Sequence, residues 1–447
     1  MKSFITSAIL SLALVSGCSS TGTSPAPAPS QPKNIIYLIG DGMSMAHLSA
    51  YRYFKNSNAQ HVGLGDKHVP VTLFDRYFVG KASTLPDDET LVTDSAAGAT
   101  ALSSGIKTYN GAIALDNDKT PTLTLLQQAK RLGKTTATIS TSQVTHATPA
   151  SFLVHNESRR NETQIADSIF DLRIEDEFVA DLMLGGGTTF FIRDDRNLTQ
   201  EFTQAGYQYI DSLEQLPELQ QLPALGLFAP KGLPYAIDHN PLPNRLTAMT
   251  KTALPLLKQH NDNGFVVMIE GSQIDWCSHG NDIACTMGEM ADFEHTLEAV
   301  IEFAKQDGET LVVLTADHGT GGLTLGANSQ YKWLPNVIHQ VHASAEKMVK
   351  QMDASKRVLP VWQEHVEFSL DEEQKNKMQQ LLDANDLDNL YSTLVKCISD
   401  RSFTGWTTTG HTGDDVAVIA FGVGAEQFAG HQDNTDIAKK IFTLMPK

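Results

Sequence analysis

The hydrophobic positions of this chain come in short bursts. Residues 34–39 (NIIYLI), 135–139 (TTATI), 265–269 (FVVMI), 311–315 (LVVLT) and 416–421 (VAVIAF) are apolar or β-branched runs bounded by polar residues or glycine. Such runs read as strands buried on both faces. Between them lie helical patterns at 122–131 and 287–305. The second places Met290, Phe293, Leu297, Val300, Ile301 and Ala304 at the three-and-four spacing of a single helix face. Strands alternating with helices predict an α/β fold, with a central, mostly parallel sheet covered by helices on both faces. Residues 325–403 break the rhythm, turning helical, polar and irregular. They predict a large insertion in the sheet domain, folded over it as a cap or crown or used between subunits. Length alone leaves a separate second domain open.

The N-terminus follows another logic. Lys2 gives a basic start, 4–15 is an apolar stretch of signal-peptide length, and Val15-Ser16-Gly17-Cys18 resembles a bacterial lipobox. Residues 1–18 are expected to be a lipoprotein signal, with Cys18 the lipidated first residue of the mature chain. The alternative is a plain signal peptide with an incidental cysteine. Residues 19–32, rich in Ser, Pro and Ala, suit a flexible tether, and 33–447 is the globular domain. This predicts export to the periplasm or cell envelope of a Gram-negative-type bacterium, held to the membrane only through the lipid. Export permits disulfides. Cys277 and Cys285 are spaced to close a small loop, leaving Cys397 free, although sequence alone leaves the pairing open.

With 34 Lys and Arg against 52 Asp and Glu, the chain carries a formal charge of −18 and has no basic stripe. That balance disfavours nucleic acid as a partner. Acid in such excess also suits bound cations, and its placement strengthens the point. The run at 34–39 ends in Gly40-Asp41-Gly42, and 265–269 leads into Glu270, with Asp275 and His279 just beyond. The run at 311–315 leads into Asp317-His318, and His411 precedes 416–421. Ligands of open α/β sheets bind beyond the carboxyl ends of the strands. A lone Asp after a strand is usually a helix cap, and a lone His is usually a satisfied one. So many acids at one sheet edge, however, repel unless cations neutralise them. Mixed oxygen and nitrogen donors suit Zn²⁺ and Mg²⁺.

Ser95, in V-T-D-S-A-A-G-A-T-A, precedes small helix-forming residues and so belongs at a helix N-terminus, where the partial positive charge favours an anion. It reads either as a helix-capping serine or as a nucleophile. The lack of bulky packing residues after it favours the second, and a nearby divalent metal would make its alkoxide available. Downstream, H-A-T-P-A holds His146 and Thr148, a hard oxygen donor. Arg159 and Arg160 follow, either as a phosphate clamp or as a solvated helix end.

Taken together and in order, V-T-D-S-A-A-G-A-T-A, H-A-T-P-A with its later arginine, E-G-S-Q-I-D-W-x-x-H, T-A-D-H-G and T-G-H-T-G resemble the alkaline phosphatase family from Asp41 to His411. The resemblance implies hydrolysis of small phosphate monoesters with two zinc ions and one magnesium, in an expected homodimer. Asp275, His279 and His411 resemble the ligands of the first zinc. Asp41, Asp317 and His318 resemble those of the second, and Asp41, Thr148 and Glu270 those of magnesium. Ser95 is the implied nucleophile, passing through a phosphoseryl intermediate with overall retention. Arg159, eleven residues after Thr148, matches the phosphate-binding arginine better than Arg160. His146 and Trp276 stand where enteric members have Asp and Lys and look more like marine bacterial members, which predicts weaker phosphate retention and greater dependence on added Mg²⁺. Two other readings remain: a related phosphodiesterase or sulfatase, and a surface lipoprotein that binds metal without catalysis.

Overall fold

The apolar runs become the middle of a ten-stranded sheet. In chain order its strands are β1 (Asn34–Gly40), β2 (Phe78–Ser83), β3 (Thr135–Gln143), β4 (Leu182–Gly186), β5 (Gln208–Ile210), β6 (Ala224–Leu227), β7 (Phe265–Gly271), β8 (Thr310–Thr315), β9 (Val416–Gly422) and β10 (Gly430–Asp433). Across the sheet they lie as β10-β2-β9-β8-β1-β7-β3-β4-β6-β5. This is a computed structural model, and it describes residues 31–58, 71–239 and 244–445. Cys18, the signal segment and nearly all of the tether lie outside those residues. Among the described residues no helix is long and apolar enough to cross a membrane.

Every neighbouring pair is parallel except those made by β9, which opposes both β8 and β2. Strands β1, β3, β7 and β8 are buried along their whole length, so both faces of the sheet are covered there. The reversal of β9 has a direct consequence for the site. Parallel β1, β3, β7 and β8 end at one edge, and β9 starts there. His411, which precedes β9, therefore reaches the same edge as residues that follow the others.

Where polar groups decide an element, the hydrophobic pattern misplaces its ends. Strand β3 continues past the predicted 139 to Gln143 because its polar residues find buried partners: Thr141 Oγ1 accepts from the Ser272 N–H, and Ser142 N–H donates to Ser272 Oγ. The helix predicted at 122–131 starts at Leu125, behind the capping pair Thr124 and Gln127. The helix predicted at 287–305 spans Ile283–Asp307. Asp282 accepts from the N–H groups of Ala284 and Cys285 at its start, and left-handed Gly308 ends it. Strand β10 (GHQD) closes one edge of the sheet with almost no hydrophobic signal.

Residues 325–403 are largely helical, with Ala345–Ser355, Val358–His365, Glu372–Asp383 and Leu387–Ser402 as the main pieces. The segment departs from and returns to one place, since Thr324–Leu325 pairs antiparallel with Thr404–Gly405. It has buried residues of its own, among them Met348, Met352, Trp362, Leu382, Leu390 and Leu394. Two aspartates tie it to the sheet body. Asp282 Oδ2 accepts from the Ala345 N–H at 2.7 Å, and Asp238 Oδ1 from the Ser344 N–H at 2.9 Å. A disulfide joins Cys277 to Cys285, and Cys397 is free and buried.

Candidate metal and phosphate site

The carboxyl edge of the sheet carries the chemistry. After β1 the chain turns sharply at Asp41-Gly42. Gly42 has φ +70°, and a Cβ there would lie 2.8 Å from Asp275 Oδ1 and 2.7 Å from Thr320 Oγ1, so only glycine lets these elements meet. Gly42 N–H and His318 N–H both donate to Asp317 Oδ1, at 3.1 and 3.0 Å. That leaves Asp317 Oδ2 facing inward, 3.2 Å from His318 Nε2, while Asp41 Oδ1 approaches the same nitrogen at 3.5 Å.

Ser95 is the first residue of the helix Ser95–Ser104, but it is not the cap. Asp94 is, accepting from Ala97 N–H at 3.0 Å and from Gly111 N–H at 3.1 Å. The capping demand met, the serine side chain is free to face inward, with Oγ 3.2 Å from His318 Nε2. The small residues of this helix now have a reason. A Cβ on Gly98 would sit 3.1 Å from the Asp317 Cβ, so the helix lies hard against the strand end.

Hydrogen bonds fix which histidine nitrogen carries a lone pair. His411 Nδ1 donates to the Thr93 carbonyl at 2.8 Å, and His279 Nδ1 to the Thr409 carbonyl. Both Nε2 atoms are therefore acceptors in the neutral rings, yet they lie only 3.1 Å apart. Two lone pairs at that separation do not bond to each other; they converge on a shared electrophile. Thr320 Oγ1 donates to Asp275 Oδ1, so its oxygen accepts from His318 Nδ1 and leaves His318 Nε2 as a lone pair too. Asp275 joins the first cluster, 3.3 Å from His279 Nε2 and 3.7 Å from His411 Nε2.

Three groups could each hold a cation, their ligand atoms within 4.8 Å of one another: Asp275, His279 and His411; Asp41, Asp275 and His318; and Asp41, His146 and Glu270. Thr148 is fully buried with an unpartnered Oγ1. Unpartnered buried acceptors also include both oxygens of Asp41, Glu270 Oε1 and Asp317 Oδ2. Orphan acceptors concentrated like this are costly without a positive partner. The titrations reflect that cost. Burial, then the charges of Asp317, Asp275 and Glu270, push Asp41 well above the carboxylate range. Burial and the Asp275 charge raise Asp317 to about 8, and burial raises Glu270 to about 7. Burial also lifts Asp275, but its bond to His279 and the neighbouring imidazoles outweigh that and hold it low.

Arg159 leans over this edge. Its Nη1 donates to Asp94 Oδ2 at 3.1 Å and its Nη2 to His146 Nε2 at 3.1 Å. Burial, helped by the Arg159 charge, drops His146 to about 3, so the ring is neutral and accepts that bond. Trp276 packs edge-on against His146, with ring centroids 5.7 Å apart. Arg160 stays exposed. Arg159, Arg160, His146, Trp276 and Lys231 line a cavity of about 560 Å³. Thus Ser95, Asp41, Asp275, His279, Asp317, His318 and His411 come together. Thr148, Glu270, His146 and Arg159 border them, and Trp276 stands one layer out. Sequence reasoning missed Asp94, which both caps the serine helix and anchors Arg159, and Thr320, which orients His318. The cap position of Asp94 was the one available signal.

The family model described as alkaline phosphatase matches residues 32–446. "Alkaline phosphatase 3" of Bacillus subtilis is 45% identical over 92% of this chain and 89% of its own length. "Alkaline phosphatase 4" of the same organism is 40% identical over 98% of this chain and 95% of its own. Among solved structures, a cold-active alkaline phosphatase from the psychrophile Shewanella sp. superposes with a TM-score of 0.85 at 42% identity, covering 93% of this chain and all of that one. The alkaline phosphatase of the Antarctic bacterium TAB5 gives 0.68 at 27% identity, covering 94% and 99%.

Proposed function

The chain belongs to the alkaline phosphatase family and is a phosphomonoesterase; from that premise we propose that Ser95 is its nucleophile and that divalent cations bind at the carboxyl edge of the sheet. In this reading Asp275, His279 and His411 hold one zinc, Asp41, Asp317 and His318 a second, and Asp41, Thr148 and Glu270 a magnesium, with His146 within reach of the last. The donor set fits such ions. The observation that carries the reading is the concentration of orphaned buried acceptors beside three imidazole lone pairs whose tautomers are already fixed. Variants of the TAB5 enzyme with one histidine replaced by glutamate or aspartate are solved with Mg bound, so a relative of this fold can hold that ion.

When bound, the cations neutralise the carboxylates and favour the serine alkoxide and the departing oxygen. The chain's own residues do the rest. The Ser95 helix presents its N-terminal N–H groups and partial positive charge to the phosphoryl group. Arg159, held by Asp94 and His146, offers its guanidinium to two equatorial oxygens. Ser95 Oγ attacks phosphorus in line, the ester oxygen leaves, and water then hydrolyses the phosphoseryl group with overall retention. A holoenzyme assay with 4-nitrophenyl phosphate, its bis-ester and its sulfate tests this. Turnover of the monoester far above the other two, lost in Ser95→Ala, is expected; comparable diester or sulfate turnover would favour the related-esterase reading.

The proposal includes lipidation at Cys18 and an envelope location, which a lipid-labelling comparison with Cys18→Ala tests. A homodimer is also part of it, and a solution mass of one chain would remove that part.

A further inference from the structure

We propose that His47 is a positioning residue for phosphate-ester hydrolysis, locking the helix that carries Asp275 and His279 to the turn that carries Asp41. The inference rests on the two-zinc reading above and adds a residue that sets how its two ligand sets face each other. Asp275 and His279 lie on the helix Gln273–His279, which has only seven residues and no side-chain cap. So short a helix is unstable alone, and this one stands on tertiary braces. Gln273 bonds to Arg245, and Cys277 is disulfide-linked to Cys285. Ser278, fully buried, is held by His47. The first two braces lead to the helices Arg245–His260 and Ile283–Asp307, neither of which supplies a proposed ligand. The third leads to the turn that supplies Asp41.

Each ring nitrogen of His47 has a fixed task. The Ser44 N–H donates to Nδ1 at 3.2 Å, and the Ser44 hydroxyl lies 2.8 Å from the same atom. Nδ1 is therefore the acceptor, and Nε2 carries the proton and donates to Ser278 Oγ at 2.8 Å. Ser278 Oγ donates in turn to the Ile274 carbonyl at 2.7 Å. Burial drops His47 to about 4, so the ring is neutral. His47 is the third residue of the helix Met45–Lys55, and with Ser44 it forms a reciprocal cap. Glu or Gln usually fills that place, and capping alone does not call for an imidazole. A buried, fully bonded histidine is usually no more than a satisfied core group. Here, however, its two ends stand on elements that feed different ligand sets, Asp41 in one and Asp275 with His279 in the other. Those elements are also in contact, since a Cβ on Gly42 would lie 2.9 Å from the Asp275 Cα. A shift of either displaces ligands of both sets. Their relative placement matters because the entering and leaving oxygens must be stabilised together.

The test uses holoenzyme loaded with zinc and magnesium, as wild type, His47→Phe, Ser278→Ala, the double variant and His47→Gln. His47→Phe keeps an aromatic ring and removes both bonds. Ser278→Ala deletes one oxygen and leaves the cap intact, so it carries the test even where His47→Phe fails to fold. Zinc release to a chromophoric chelator and steady-state kinetics with 4-nitrophenyl phosphate are measured beside melting temperatures. Groups that orient metal ligands are worth about 10–100-fold in metal affinity or activity. Each single variant is therefore expected to release its first zinc about tenfold faster, and its kcat to fall about tenfold with KM unchanged. The double variant should be no worse than His47→Phe, since both changes break one contact. His47→Gln, able to accept from Ser44 and donate to Ser278, should recover most of the loss. Lower melting temperatures with wild-type zinc release and kcat would make His47 a purely structural residue and overturn the proposal, as would additive losses in the double variant. A wild-type protein that binds no zinc or lacks monoester turnover would instead remove the reading beneath it.

Discussion

Removing the cations should turn the buried carboxylates into a pH-dependent liability. Asp41, Glu270, Asp275 and Asp317 are all at most 3% exposed. Asp317, ordinarily near 3.8, is lifted to about 8, chiefly by burial and then by Asp275; Glu270, ordinarily near 4.5, is lifted to about 7 by burial. An acid whose folded-state pKa is raised contributes stability that is complete below its unfolded value and disappears as pH rises through the folded one. Between those values the folded metal-free chain holds protons that the unfolded chain has released, so its stability falls as pH rises. Histidines with the opposite sign set the lower limit of the useful window. His47 and His146, depressed by burial to about 4 and about 3, finish adding stability by about pH 6.5. Above pH 6.5 the carboxylates dominate. At about 1.4 kcal/mol per pH unit, Asp317 loses about 2 kcal/mol by pH 8 and Glu270 less than about 1 kcal/mol by pH 7. Unfolding entropy of roughly 2.1 cal/mol/K per residue converts this to a drop of about 3 °C. Calorimetry of chelator-dialysed protein at pH 6.5 and 8.5, beside protein reloaded with zinc and magnesium, measures it. The reloaded protein should show no drop, since deprotonated ligands bind cations more tightly. A metal-free melting temperature that stays level or rises over this window would refute the reasoning.

Three other perturbations have defined outcomes. Cys285→Ser opens a disulfide spanning eight residues between the helix that carries Asp275 and His279 and the one after it; a loss of about 2.5 kcal/mol is expected from urea unfolding, and an unchanged midpoint would count against it. Arg245 is fully buried and donates to Glu289 at 2.8 Å, to Asp292 at 3.1 Å and to Gln273 at the start of that same helix. Arg245→Met strands two buried carboxylates and should cost about 3–5 kcal/mol, with weaker zinc retention on dialysis; wild-type stability and zinc content would contradict this. His146→Asp with Trp276→Lys should tighten inhibition by inorganic phosphate and reduce the dependence on added Mg²⁺, and identical inhibition constants and Mg²⁺ titrations would remove that role for the pair.

The central strands, the parallel sheet and the ligand-bearing strand ends were legible in the sequence because buried parallel strands must be apolar, and the residues just past their carboxyl ends are forced to one edge. The C-terminal end of β3 and the whole of β10 were not, since polar residues there are satisfied by tertiary partners that no local pattern records. The same limit applied within the site. Ser95 could be placed at a helix start, but the division of labour with Asp94 depends on a bond to Gly111 and a salt bridge to Arg159, sixty-five residues away. Thr320 carried no sequence signal at all, because its role is to pass one hydrogen bond between Asp275 and His318. His411 was correctly associated with the edge, but only the reversed direction of β9 explains how it gets there.

The proposed chemistry requires a covalent phosphate at Ser95. Holoenzyme mixed with substrate and quenched in acid within one turnover, then digested and analysed by mass spectrometry, should carry phosphate on Ser95 and nowhere else, and Ser95→Ala should carry none and turn over at least about a thousandfold more slowly. Phosphate on another residue, or near-normal turnover by Ser95→Ala, would contradict it.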